Sequence, residues 1–305
     1  MIKINRVFVN QVGRLPAMRD SREIRERFLA CDRNTQWQLQ GSISFKFPTY
    51  HPQGLVITED YIFLSSVEVV EPPQTVFDPT KSTPGSGVGH LFIVDRSGSL
   101  IKDLIIGEGS MYHPGGIDFD GEDIWIPVGE YRPHARSMVV AVNAFDFSIR
   151  EVFRINDSIG WAVADPETSL IYGGNWGSRV LYVWSQKGEE IEQWKNPSHF
   201  VDYQDAIFLS SGEVIASGIS VLLSDEEAEK QMAPELGGLA LLDFKTKKIV
   251  HEIPIYSHTK AGHVLTRNPF SLSVTGEDLF LHVAPDDGDD LGGTSLNTYK
   301  AVRRR

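Results

Sequence analysis

The residues best suited to chemistry sit in two near copies of one hexapeptide. "YHPQGL" occupies 50–55 and "YHPGGI" occupies 112–117, so His51 and His113 stand in matching contexts 62 residues apart. Imidazole is the side chain whose ordinary pKa lies nearest neutrality, which suits it to proton transfer or metal ligation. Its plainer use is to cap a turn through a backbone carbonyl. Other short stretches add polar and aromatic groups: "VGEYRP" brings Glu130, Tyr131 and Arg132, "GGNWGSR" brings Asn175, Trp176 and Arg179, "DYQD" brings Tyr203, Gln204 and Asp205, and "RNPF" brings Asn268.

Three uses of these groups are open. His51, His113, Glu130 and Asp205 form an acid–base or metal-ligating set, because neutral imidazole with carboxylate suits transition metals. Asn175, Asn268, Asp205 and Glu68 form an oxygen set for calcium. The third use needs no metal. His51 and His113 act as donors or acid–base groups, Tyr131 and Arg132 bind an oxyanion, and Trp161 and Trp176 stack on a planar molecule. The third is the expectation here, with no cofactor; calcium or another divalent ion is the alternative. HExxH, CxxC, P-loop and GxSxG motifs are absent. The acidic turn "PDDGDD" (285–290) lacks the terminal bidentate Glu of an EF-hand and reads as solvated.

Elements that could bring such distant residues together are visible as a repeat. Each hexapeptide leads into a short apolar strand, an acidic turn and a second strand: "HPQGLVITEDYIFLSS" from His51 and "HPGGIDFDGEDIWIPV" from His113. Weaker copies begin at Gly160, Tyr203 and Asn268, giving spacings of 62, 47, 43 and 65 residues. The long spacings contain "VEPPQTVFDPTKSTPGSGVG" (70–89), which has loop composition, and 221–236, which admits a short helix. Without these insertions the period is about 45 residues, four antiparallel strands per unit, as in a β-propeller. The fifth unit lacks a fourth strand, and the segment 35–47 supplies one, closing the ring and removing an exposed edge. The fold expected is all-β: a five-bladed propeller over 35–305, six blades being the alternative. The extension 1–34 carries a helix at 20–34, with Asp20 as N-cap, Glu23 completing a capping box, and Ile24, Phe28 and Cys31 on one face.

In a propeller, residues just before each innermost strand and just after the second strand meet at one face. The first group holds His51, Gln53, His113, Trp161, Tyr203, Gln204, Asp205 and Asn268. The second holds Glu68, Glu130, Tyr131, Arg132, Asn175, Trp176, Arg179 and His282. Such a funnel is a usual form of small-molecule site.

The totals agree with a soluble enzyme or binding protein. The 305 residues carry a net charge of −12, which argues against sequence-independent nucleic-acid binding. No apolar run is long enough to span a membrane, and one cysteine precludes an intrachain disulfide, so a cytoplasmic location is expected. The oligomeric state is not legible.

The stretches "FPTYHPQGL…YIFLSSVEV", "GEGSMYHPGGIDFDGEDIWIPVGEYRP…RS", "NWGSR", "NPSHFVDYQD" and "RNPF" resemble an uncharacterised family of bacterial and fungal propeller-like proteins, over about residues 35–300. The chain is also similar in outline to calcium-dependent lactonase and phosphotriesterase propellers, though their ligand set has no residue-by-residue counterpart. A further similarity is to fungal propellers that promote hetero-Diels–Alder cyclisation in secondary metabolism. That likeness implies catalysis by positioning and polarising a small organic substrate. A metal-dependent hydrolase and a non-enzymatic binding module are the other readings.

Overall fold

The structure is a computed structural model that describes residues 21–74, 83–132, 134–221 and 235–303. Helix α1 (Ser21–Leu29) and strand β1 (Gln36–Ser44) precede four complete sheets. The first is β2 (His51–Ile57), β3 (Ile62–Glu71), β4 (Ser86–Val94) and β5 (Leu100–Ile106). In the second, β6 (Met111–Pro114) and β7 (Asp118–Phe119) share the innermost place on β8 (Asp123–Glu130), followed by β9 (Ser137–Asn143) and β10 (Ile149–Ile155). The third runs β11 (Ile159–Asp165), β12 (Leu170–Asn175), β13 (Val180–Ser185), β14 (Glu190–Lys195). The fourth runs β15 (Asp202–Ser210), β16 (Glu213–Val221), β17 (Glu235–Asp243), β18 (Lys248–Ile255).

The fifth sheet closes the ring. Strands β19 (Phe270–Thr275), β20 (Asp278–Val283) and β21 (Ser295–Val302) come from the C-terminal part, and β1 pairs antiparallel with β21 from Gln36↔Val302 to Ser44↔Ser295. The molecule is therefore a five-bladed β-propeller with one short N-terminal helix.

Burial explains the two strand patterns. Inner strands lie between neighbouring blades, so β2 is buried at every position after His51 and ends in the apolar run Leu55–Ile57. Outer strands face water on one side; β14 shows no fully buried residue and alternates in exposure. The apolar core consequently forms clusters between adjacent blades.

The helix is shorter than the 20–34 expected from sequence. It ends at Leu29, and Cys31 follows in a turn whose N–H bonds to Phe28 O. Asp20, the expected cap, lies outside the described residues. Ile24, Phe28 and Cys31 are buried in one cluster with Ile215, Leu272 and Trp37. Arg25 donates two hydrogen bonds to Glu213 at 2.6 and 2.9 Å, at the far end of blade four from Asp202 and Tyr203. The helix thus covers the face opposite the predicted funnel. Of the 70–89 segment, the described ends are paired: β3 and β4 run as far out as Glu71↔Ser86, with a further bridge at Gln74↔Thr83, while 75–82 lie outside the described residues. The short helix expected within 221–236 falls largely outside the described residues. Among the described residues, no helix is long and apolar enough to cross a membrane.

Candidate functional site

The two hexapeptides meet at the ring axis, and their Gly residues explain why. A Cβ on Gly54 would lie 2.6 Å from Ile117 N, and one on Gly116 would lie 2.5 Å from Asp205 Cα. Without side chains, the inner strands touch. The residue after each Gly then donates its N–H to one carboxylate: Leu55 to Asp205 Oδ2 at 3.1 Å and Ile117 to Oδ1 at 2.9 Å. Phe270 adds a third at 3.0 Å to Oδ2, and Ala206 a fourth at 3.0 Å to Oδ1. Asp205 therefore ties the inner strands of four blades. Blade three joins through Gly116, whose N–H bonds to Gly160 O at 2.8 Å. A second buried carboxylate, Asp118, accepts from Phe208 N at 2.8 Å and links blades two and four.

This placement corrects the reading of Asp205 as a catalytic or metal-binding group. The residue is completely buried and no reactant reaches it. Burial pushes its pKa well above the ordinary carboxylate range, and four backbone N–H groups offset that only in part. A protonated carboxyl would set a fifth donor among four, so the cage fits the anion.

At the mouth above this axis the side chains differ in kind. His51 Nδ1 stands 2.6 Å from Asp287 Oδ1, and Arg267 Nη2 stands 3.0 Å from Asp287 Oδ2. A carboxylate on Nδ1 places the ring proton there and leaves Nε2 as the acceptor, with the Asn268 amide 3.4 Å away. Burial raises the Asp287 pKa, but the hydrogen bond and charge from His51 and the Arg267 charge bring it below the ordinary value. Tyr50, at φ 55°, turns the chain into His51; its ring stacks on His90, and its carbonyl accepts from Gly288 N at 2.7 Å.

His113 occupies different surroundings. Its ring lies 4.2 Å from Tyr131 and 5.7 Å from Trp176, and the latter two are 5.3 Å apart at 20°. Burial, with the neighbouring His51, pushes the His113 pKa down to about 3, so it is neutral at physiological pH. Burial and the Asp287 charge raise the Tyr131 pKa, which keeps the phenol protonated. Trp176 is 38% exposed. His113, Trp176, Gln53, Gln204 and Glu130 line a small cleft open to solvent.

Several other expected site residues prove to be structural. Trp161 is fully buried, donates from Nε1 to Ser178 Oγ at 3.1 Å, and packs in the core instead of stacking in the funnel. Tyr203 belongs to the same core. His282 is enclosed within blade five between Ser273 and Thr298, and burial pushes its pKa down to about 4. The Asn175 amide is spent on Asp157 and on Val180 N. Arg179 serves Gly177 O, Ser198 O and Asp202. Arg132, expected to hold an oxyanion, is paired with Glu130, which Arg136 and Ser110 also bind. Burial raises the Glu130 pKa, yet these partners bring it below the ordinary value. Glu68 stands apart, near His90 on blade one.

Several members of the two metal sets are engaged with other partners. The oxygens of Asp205 and Glu130 face N–H groups and guanidiniums, and Asn175 and Glu68 point to separate partners. Among the described residues, no three His, Cys, Asp or Glu side chains group as metal ligands. Sequence reasoning missed Asp287 and Arg267. The signal was present in "PDDGDD" and in the Arg before Asn268, but an acidic turn looks solvated until the ring closes over it.

Solved structures match this chain at low identity. The WD40 repeats of RRP9 are 11% identical over 88% of this chain and 100% of theirs, with a TM-score of 0.46. A DUF4221 family member from Bacteroides vulgatus is 10% identical over 90% of this chain and 100% of its own, with a TM-score of 0.41. The tail fibre of Staphylococcus aureus phage P68 is 10% identical over 88% of this chain, with a TM-score of 0.48, and the match spans 53% of the fibre chain. No curated protein matches. One family profile does, over residues 16–304, and the chain belongs to that family: DUF6454, a family of unknown function.

Proposed function

We propose that the mouth of the ring binds a planar small organic molecule, which the aromatic group holds and His51 polarises or deprotonates. The observation that carries this is the His51 Nδ1–Asp287 Oδ1 bond of 2.6 Å beside the His113–Tyr131–Trp176 stack. A carboxylate that fixes the imidazole tautomer is what a general base requires. The His51 hydrogen bond and, after it, the Arg267 charge hold that carboxylate below the ordinary value against its burial. Neutral His113 and the Tyr131 hydroxyl offer uncharged hydrogen-bonding groups to a carbonyl, enol or phenol. Trp176 presents exposed ring surface to the flat part of the ligand.

The chemistry that follows is positioning with hydrogen-bond polarisation. Holding reactants in register can lower a bimolecular barrier by roughly 7–11 kcal/mol. Cyclisation or cycloaddition of a small conjugated substrate is the reaction class that most needs this help. Among the described residues, no three His, Cys, Asp or Glu side chains at the mouth group as a metal-dependent hydrolase would need. A purely binding role keeps the stack but gives the His51–Asp287 pair no task.

Titration of planar phenols, enols and aromatic ketones, followed by tryptophan fluorescence, tests the proposal. Saturable quenching is expected, abolished in Trp176→Phe and weakened at least tenfold in His51→Ala. A ligand that binds both variants as it binds the parent protein would remove the mouth from consideration.

A further inference from the structure

The axial N–H donors give the inner strands a common register. Leu55, Ile117, Ala206 and Phe270 all donate to Asp205. The residues two places before them are Gln53, Gly115, Gln204 and Asn268. In blade three the matching residue is Gly160, two before Ala162, whose N–H reaches Gly116 O. Strand pairing shifts register at Gln53, Gly160 and Gln204, so each is the extra residue of a bulge. A bulge beside a site re-aims a side chain. Gln53, Gly115, Gly160 and Gln204 all line the mouth cleft.

These five positions differ in what they leave available. The glycines let strands close on each other: a Cβ on Gly115 would strike Gly160 O. The Asn268 amide is spent on Pro52 O at 3.0 Å. Gln204 Nε2 reaches Asp202 O, on its own strand, at 3.3 Å. Gln53 is 5% exposed, and its carboxamide makes no hydrogen bond among the described residues. A buried amide with donor and acceptor both unused calls for a partner, and the side open to one is the cleft. The described lining holds no lysine or arginine, and its one carboxylate, Glu130, is taken by Arg132, Arg136 and Ser110. The group that completes Gln53 is therefore neutral and carries a donor beside an acceptor.

We propose that Gln53 selects the ligand of the mouth and that this ligand is a planar lactam, its cis N–H and C=O paired with the Gln53 carboxamide; this selection requires that the mouth binds a planar molecule, as proposed above. The ligand N–H donates to Oε1, and Nε2 donates to the ligand carbonyl. A ketone or lactone serves only the donor half and leaves Oε1 without a partner. A carboxylate serves the same half and meets no cation in the lining. The cleft is small, so only this polar edge enters it, and the ring system lies against Trp176.

Calorimetric titration of the full chain with 2-quinolone and with coumarin tests the selection. The two probes share one shape, but coumarin has a ring oxygen where 2-quinolone has N–H. 2-Quinolone should bind at least about tenfold more tightly than coumarin. Gln53→Leu should make the two affinities alike, whereas Trp176→Phe should weaken both and keep their ratio. The ratio in the parent protein decides the matter even where Gln53→Leu does not fold. Equal affinities in the parent, or a preference that persists in Gln53→Leu, overturn the lactam and leave the aromatic stack and His51 in place. Binding of neither probe also overturns it, and the phenol and ketone titrations then show whether the planar-ligand reading falls with it.

Discussion

The axis and the mouth are built from the same hexapeptide and have opposite characters. At the axis, Leu55 and Ile117 use backbone N–H groups, and the glycines before them remove every side chain from the contact. At the mouth, His51 and His113 use side chains that remain partly open to solvent. The axis is symmetric: equivalent residues of blades one and two make the same bond to one carboxylate. The mouth is not. His51 is tied to Asp287, while His113 is packed against two aromatic rings. A repeated motif can therefore carry architecture in its Gly and leave its His free to diverge.

The comparison can be broken in order of effect. Asp205→Asn should be the most damaging, because two backbone N–H groups would face an amide NH₂. At about 1–3 kcal/mol for each unsatisfied buried donor, the loss is about 2–6 kcal/mol, read by denaturant unfolding. If Asp205→Asn instead unfolds with the parent midpoint, the axial clasp is wrong. Gly116→Ala comes next. Its new Cβ meets backbone, and the strain should cost about 1–3 kcal/mol by the same measurement.

Acid sensitivity is a smaller test. His113 and His282 have folded pKa values lowered to about 3 and about 4. The unfolded chain binds these protons near pH 6.5, whereas the folded chain resists them. Stability is thus fully present above pH 6.5 and falls as pH drops toward 4, by up to about 1.4 kcal/mol per pH unit for each histidine. His282→Asn should flatten that slope without touching ligand binding, whereas His113→Asn should change both. Asp287→Asn should have the least effect on folding, within about 1 kcal/mol, while removing most of the ligand response. Equal losses of stability in Asp205→Asn and Asp287→Asn would erase the distinction between the two regions.

The ring was readable because its signals are periodic. Strand, acidic turn and strand recur, and the unpaired segment 35–47 matches the missing strand of the fifth unit. The mouth was readable in part. His51, His113, Tyr131, Trp176 and Asn268 do gather there, since the starts of inner strands and the ends of second strands converge. Side-chain direction was not readable. Trp161 and Tyr203 begin inner strands as expected, but they turn into the interface between blades three and four. Asp205 looked like a reactive carboxylate because its partners are backbone N–H groups from distant blades, which leave no mark in the sequence. Asp287 and Arg267 escaped notice for the reverse reason: an acidic loop acquires its meaning only when blade five stands beside blade one.

Strand β1 joins β21 across nearly the full chain, Gln36 beside Val302. During synthesis this strand emerges long before its mate exists and has to stay unpaired until residues 295–302 have been made. Such distant pairing slows folding and delays the last blade. A nascent chain halted anywhere before residue 295 would hold a ring with an open seam, so completion of the C-terminal strand is the event that commits the protein to a closed circle.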